Sequence, residues 1–165
     1  NAEVFVIGGG DSAVEEASYL TRFAKKVWLV HRRDKLRAAP ILQDRVFNNP
    51  KIEILWDSVL QEIRGENKVE QVVIKNVKSG EEAVYPAEGV FIYVGILPNT
   101  QFVKDFVHLD DAGFILTERT METNRPGVFA AGDVRDTPLR QIITAASDGA
   151  IAAFFANKYI ETVFD

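Results

Sequence analysis

Val6-Ile7-Gly8-Gly9-Gly10-Asp11-Ser12-Ala13 is the stretch whose reading decides the fold. Val4-Phe5-Val6-Ile7 is apolar on both faces and largely β-branched, so it reads as a short strand covered on both sides. Gly8 supplies the backbone angles of a sharp turn out of that strand. Gly10 has no Cβ, so an anion can approach the main chain there. Ala13 stands where the third glycine of G-x-G-x-x-G often stands, and is small enough for a helix to pack tightly on the strand. Asp11-Ser12 falls at the helix start, where such side chains cap free N–H groups. Ala13, Ala17, Leu20 and Ala24 then recur at helical spacing and give the helix an inner face. The free N–H donors and positive dipole end of that helix suit a pyrophosphate. A plain glycine turn between strand and helix would show the same glycines. The strand before, the helix after and a second strand, Val27-Trp28-Leu29-Val30, make the pattern a βαβ start. On that reading Gly8, Gly9, Gly10, Asp11, Ser12 and Ala13 face a dinucleotide.

At the end of the second strand an NAD-type site would place Asp or Glu to accept from the ribose hydroxyls. Here the chain runs His31-Arg32-Arg33-Asp34-Lys35-Leu36-Arg37. A carboxylate would repel a 2′-phosphate, whereas guanidinium groups grip it with paired hydrogen bonds. The expectation is therefore an NADPH site, with His31, Arg32, Arg33 and Arg37 around the phosphate. Arg37 follows Arg33 by one helical turn and is expected to converge on the same anion. Two alternatives stay open: a solvated basic loop, and pairing of Asp34 with an arginine. Glu15 and Glu16 are explained by the dipole of the first helical turn; Glu16 is kept as a cofactor candidate without support from spacing.

The bulk composition narrows the field. The chain has 165 residues, 47% of them apolar, which fits a globular protein with a real core. A net charge of −5 argues against general nucleic-acid binding despite the local arginines. Zero cysteines exclude a disulfide framework, a thiolate metal site and thiol chemistry within these residues. Two isolated histidines, His31 and His108, argue against a histidine metal site. No apolar run approaches a membrane span and no signal peptide heads the chain, so a cytoplasmic location is expected. The chain opens Asn1-Ala2-Glu3, without an initiator Met, and enters a buried strand at once; the expectation is a fragment.

Downstream, Pro40 to about Phe47 reads as a helix with proline at its first position. Ile52-Glu53-Ile54-Leu55-Trp56 reads as a third strand. Val59–Arg64, Val69–Val77 and Glu82–Tyr85 read as an inserted β-meander with turns at Gly65-Glu66-Asn67 and Lys78-Ser79-Gly80. Gly89–Gly95 returns to the sheet. The fold class expected is α/β: a Rossmann-like, three-layer dinucleotide-binding domain with a meander over residues 1–95, and residues 96–165 as part of a second such domain. Pro98-Asn99-Thr100 marks the boundary. Gly113-Phe114-Ile115-Leu116 and Gly127-Val128-Phe129-Ala130-Ala131 read as strands. A helix from about Gln141 to Tyr159 presents a small-residue face that docks on the first unit or on a partner outside the chain. Gly132-Asp133 closes a strand, and Arg140-Gln141-Ile142 opens that helix. Physically this is either half of a ligand site, with Asp133 accepting from a sugar hydroxyl, or an ordinary capped helix.

Three stretches carry a family resemblance: Gly8 through Ala17, His31 through Ala38, and Gly127 through Val134. With them go Arg140-Gln141 and Gly95 through Thr100. In this order they resemble bacterial thioredoxin reductases over essentially the whole chain. The resemblance implies an NADPH domain in residues 1–95 and the C-terminal part of an FAD domain in residues 96–165. It implies that Gly132 and Asp133 meet the flavin's sugar-alcohol chain, and that Arg140, Gln141 and Ile142 lie near its ring. It also implies hydride passing from NADPH to FAD, electrons passing to a Cys-x-x-Cys pair and then to thioredoxin, and a homodimer. The N-terminal FAD half and the cysteine pair of that family are not in this sequence. No catalytic residue is therefore assigned, and these residues alone are not expected to reduce thioredoxin. Two alternatives remain: a thioredoxin-reductase-like ferredoxin–NADP reductase, and a stand-alone NADPH-binding module.

Overall fold

The computed structural model describes residues 2–164. In chain order its elements are β1 (Glu3–Gly8), α1 (Asp11–Leu20), β2 (Lys26–Val30), α2 (Pro40–Phe47), β3 (Ile52–Leu55), β4 (Ser58–Arg64), β5 (Gln71–Asn76), β6 (Glu82–Pro86), β7 (Gly89–Tyr93) and α3 (Ile142–Phe164). Two compact units divide the chain, Asn1–Gly95 and Ile96–Asp165.

The apolar run at residues 4–7 becomes a central strand because both of its faces find cover. β1 lies between β2 and β7 in a parallel sheet of order β3-β2-β1-β7, with Val6 level with Leu29 on one side and Phe91 on the other. Successive side chains of a strand point to opposite faces. Val4 and Val6 accordingly pack with Ala13, Val14 and Ala17 of α1 and with Leu42 and Val46 of α2. Phe5 and Ile7 pack the other way, on Val72, Ile74 and Ala87 of the meander. The meander is an antiparallel sheet of order β4-β5-β6. Helices, parallel sheet and antiparallel sheet form the three layers of a Rossmann-like α/β unit, as the sequence predicts.

Several boundaries differ from expectation; β5, for one, spans Gln71–Asn76 rather than Val69–Val77. α1 stops at Leu20, so Ala24 is not part of it; Ala24 is nonetheless buried, in a turn whose N–H bonds to the Leu20 carbonyl at 2.8 Å. The chain leaves the helix because Lys25 must donate to the Ala2 carbonyl (2.8 Å) at the start of β2. β3 ends at Leu55 and β7 at Tyr93, before Gly95 turns the backbone at φ 101°.

The second unit departs further. The two expected strands around Ile115 and Phe129 are single β-bridges: Ile115 with Leu109 and with Arg135, and Phe129 with Glu122. Both runs begin on a glycine in the left-handed region, Gly113 at φ 91° and Gly127 at φ 77°, and no neighbouring segment stays in register for more than a residue. Val107, Ile115 and Ala130 form a small core. α3 runs to Phe164, five residues past the expected Tyr159. Its small residues serve close approach: a Cβ on Gly132 would lie 3.3 Å from that of Ala145. No helix among the described residues is long and apolar enough to cross a membrane.

Leu29 is fully buried between α1, α2 and β1. Leu29→Ala is expected to destabilise the first unit by about 2–5 kcal/mol. Urea unfolding followed by tryptophan fluorescence measures this for that unit alone, since both tryptophans, Trp28 and Trp56, belong to it.

Candidate functional site

The carboxyl ends of β1, β2 and β7 open on a cleft of about 420 Å³, bordered by Gly8, Gly9, His31, Arg32, Arg37 and Tyr93. This is where an open parallel sheet binds ligands: outside the strand ends, where chain connections depart to opposite sides.

Each glycine of the turn answers to a different constraint. A Cβ on Gly8 would sit 2.5 Å from the Tyr93 carbonyl oxygen and 2.7 Å from the Ala13 Cβ. Gly8 and Ala13 are therefore small for one reason, the packing of α1 against the ends of β1 and β7. A Cβ on Gly9 would sit 2.2 Å from Nδ1 of His31. Above Gly10 there is nothing within 4 Å, so the close approach expected at this residue is open to a ligand.

The expected caps at Asp11 and Ser12 are not formed. Gly10 occupies the N-cap position and α1 has no side-chain cap. The Asp11 carboxylate instead accepts from the backbone N–H of Ala39 at 2.8 Å, because that donor, at the head of α2, faces it across the turn. The first intrahelical bond is Val14 to Gly10 (3.1 Å), and the N–H groups of Asp11, Ser12 and Ala13 make no bond among the described residues. Those donors are free for an anion.

The loop after β2 brings the basic residues to the same place, but not by helical spacing. Residues 32–39 are irregular, which corrects the expectation that one helical turn relates Arg33 to Arg37. Arg37 is placed by its own N–H, which donates to the Gly9 carbonyl at 2.7 Å. Arg32 and Arg37 border the cleft; Arg33 is exposed beside it, with its carbonyl accepting from the Asp57 N–H at 3.3 Å. None of the three makes an ion pair among the described residues, with Asp34 or any other carboxylate.

His31 is 4% exposed, and its Nε2 has no hydrogen-bond partner among the described residues. Burial lowers its pKa; the carbonyls of Lys35 and Gly8 oppose that, and the charges of Arg37 and Arg32 add to it. The ring packs edge-on to Trp56 and fills the space that Gly9 leaves. That wedge was not foreseen, although the third consecutive glycine was its sign: G-x-G-x-x-A alone requires no glycine at position 9. Glu16 lies away from the cleft border, near Tyr93. The Tyr93 hydroxyl has its pKa raised by desolvation first, then by the charge and hydrogen bonding of Glu16.

The second cluster lies within the other unit. Gly132 (φ 78°) begins a short 3₁₀ turn, Gly132–Val134. Its N–H donates to Oδ2 of Asp148 at 3.2 Å, and the same oxygen takes Nη1 of Arg135 at 3.1 Å. Arg135 Nε donates to Thr117 Oγ1 at 2.7 Å. The Asp133 carboxylate is exposed and unbonded among the described residues, and Arg140 stacks over the Phe114 ring at 4.0 Å. Gln141 donates its N–H to Thr144 Oγ1 (3.1 Å), and Ile142 is 90% exposed. Gly132, Asp133 and Arg140 are thus gathered, with Gln141 and Ile142 following along the chain. Sequence reasoning missed Asp148 and Arg135; the sign was a carboxylate set among the small and apolar residues of the helix's first half.

Gly9→Ala is expected to destabilise the first unit by about 1–3 kcal/mol through overpacking against His31. Most of that penalty should vanish in a His31→Ala background, as a double-mutant cycle would measure. The His31 pKa also sets a pH dependence. The folded value lies below the ordinary imidazole value of about 6.5, so the unfolded chain takes up the proton first. The contribution is complete above about pH 6.5 and is lost as pH falls below it. The fall in unfolding free energy between pH 7 and pH 5 should be shallower in His31→Asn.

The chain that carries this glycine turn, arginine loop and meander is similar in sequence and fold to known proteins. The family model for pyridine nucleotide-disulphide oxidoreductases matches residues 1–149. A thioredoxin reductase of Peptoclostridium acidaminophilum is 51% identical over 99% of this chain and 54% of its own length. One from Listeria monocytogenes is 52% identical over 98% of this chain and 51% of its own. Among solved structures, the thioredoxin reductase of Streptococcus pyogenes superposes with a TM-score of 0.80 at 55% identity, covering 98% of this chain and 53% of that one. The chain spans about half the length of these relatives. With nearly all of its residues matched, glycine turn and arginine loop included, the chain belongs to the pyridine nucleotide-disulphide oxidoreductase family.

Proposed function

We propose that the chain is part of an NADPH-dependent thioredoxin reductase. Residues 1–95 are its NADPH-binding domain and residues 96–165 are the C-terminal part of its FAD-binding domain. The observation that carries the reading is the set of unpaired guanidinium groups of Arg32, Arg33 and Arg37 beside the uncapped start of α1. The likeness to thioredoxin reductases supports it.

The residues fit the cofactor. Open space over Gly10 admits a pyrophosphate to the N–H groups of Asp11, Ser12 and Ala13. The arginines sit where a 2′-phosphate would extend, and a buried Nε2 without a partner on His31 is available beside them. Glu16 stands near Tyr93, which borders the cleft, and is kept as a cofactor candidate. In the second unit the Asp133 carboxylate accepts from a sugar hydroxyl, and Arg140, Gln141 and Ile142 border the flavin ring. Hydride transfer from nicotinamide to flavin is the chemistry that the bound pair supplies. Gly8, Gly9 and Gly10 shape the turn; the arginines select the phosphate. The 165 residues contain no cysteine, so the dithiol that would pass electrons to thioredoxin falls to residues outside them. A homodimer in the cytoplasm completes the reading, on the strength of the likeness alone.

Replacing Arg32 and Arg33 together by Ala removes two charge-assisted contacts, each worth about 1.5–3 kcal/mol. NADPH affinity, measured by calorimetry, should fall about a hundredfold or more, with NADH affinity changed by less than about twofold. An equal loss for both nucleotides overturns the reading.

A further inference from the structure

Asp11 is poorly explained by the glycine turn itself. It stands at the start of α1, yet its carboxylate leaves that helix uncapped and reaches over the turn to Ala39, the N-cap residue of α2. The carboxylate is also the wrong charge for direct contact with a pyrophosphate.

The loop between β2 and α2 shows what the bond does. Its upstream end is pinned by backbone bonds, His31 N–H to the Leu55 carbonyl (3.0 Å) and Ser58 N–H to the His31 carbonyl (2.9 Å). Its downstream end has two polar attachments to the turn. Arg37 donates to the Gly9 carbonyl at 2.7 Å, and Ala39 donates to Asp11 at 2.8 Å. Leu36 and Ala38, which flank Arg37, are buried in the helix-side core. Loss of the Asp11 bond therefore leaves the loop folded but its downstream end less firmly registered. The side chain that leaves this end toward the cleft is that of Arg37.

We infer that Asp11 is a positioning residue for cofactor choice: by holding Ala39 it fixes Arg37 over the glycine turn and so sharpens discrimination for a nucleotide bearing a 2′-phosphate. This rests on the NADPH reading of the site. NADH carries a neutral 2′-hydroxyl in place of the phosphate, so a loosened loop weakens NADPH more than NADH. The charge effect runs the other way. Removing a negative charge beside an anion site strengthens binding of both nucleotides, and more so for the more highly charged NADPH. A fall in NADPH preference on losing Asp11 is thus not an electrostatic by-product.

The experiment measures NADPH and NADH dissociation constants by calorimetry, with melting temperatures, for the wild type, Asp11→Ala and Asp11→Asn. Asn keeps an acceptor oxygen for Ala39 without the charge. The expected result is a ratio of NADPH to NADH affinity about tenfold lower in Asp11→Ala, and at or above the wild-type ratio in Asp11→Asn. An unchanged ratio in Asp11→Ala overturns the inference. So does a parallel loss of both affinities with a lower melting temperature, which marks a merely structural residue. An Asn variant as impaired as the Ala variant also overturns it. A wild type that does not prefer NADPH overturns the NADPH reading itself, and the inference with it.

Discussion

The close approach of the Gly9 backbone to the loop after β2 is the contact on which the rest of the site depends. His31 lies flat against the position where any other residue at 9 would carry its Cβ, and the Gly9 carbonyl takes the Arg37 N–H. Both constraints join the first βα turn to the end of the second strand. Those two segments would meet opposite ends of a dinucleotide's adenosine half, one at the pyrophosphate and the other at the ribose. Their separation is set by van der Waals contact, and interiors packed this closely move little. A neutral imidazole suits the wedge. Charging it would add a third positive group beside Arg32 and Arg37 in a place where burial already disfavours charge.

The electrostatics of the site run against local stability. Among the described residues Arg32, Arg33 and Arg37 pair with no carboxylate, in a chain of net charge −5, and the first turn of α1 is left without a side-chain cap. A Ser, Asp or Asn at the N-cap typically contributes about 1 kcal/mol over Ala, which Gly10 forgoes in part. Carboxylates do exist nearby: Asp57 pairs with Lys78, and Asp11 is taken by Ala39. Those two acidic side chains are thus committed to other donors, Asp34 pairs with none of the arginines among the described residues, and positive charge is left exposed toward the cleft. Surface pairs contribute little, so this arrangement forgoes little stability. In return an incoming anion has no internal competitor to displace.

How much of this could be read from the sequence follows from the range of each interaction. β1 and the meander were legible because alternation and turn residues are local, and the cover on both faces of β1 follows from Val4-Phe5-Val6-Ile7 itself. The meeting of the arginine loop with the glycine turn was legible because parallel strands bring their carboxyl-end turns to one edge of the sheet. What failed was nonlocal. Local propensity makes Asp11 a cap, but a backbone donor 28 residues away claimed it. Helical spacing from Arg33 suggested a reason for Arg37, whereas the Gly9 carbonyl supplies it. Ala24 is buried, as its periodicity suggested, although the helix ends at Leu20. Apolar runs at residues 113–116 and 127–131 look like strands, but a ladder needs a neighbour that stays in register, and only single bridges form.

The buried pair in the second unit shows the same logic at higher stakes. Asp148 accepts from both the Gly132 N–H and Arg135, with both side chains largely out of water. Desolvating two such charges costs several kcal/mol per ion, so the pair is weak evidence for stability. Its geometry shows what it secures instead. One oxygen fixes the left-handed residue that opens the 3₁₀ turn and also anchors the arginine that follows the turn, so Asp133 between them is held from both sides. Asp133 itself is exposed and unbonded among the described residues. A carboxylate left unbonded among the described residues on a turn this firmly held repeats the arrangement that leaves the Arg37 guanidinium unpaired while its backbone is tied. In each unit the charged group offered to the outside is one whose main chain, or its immediate neighbours, is bonded to a different element.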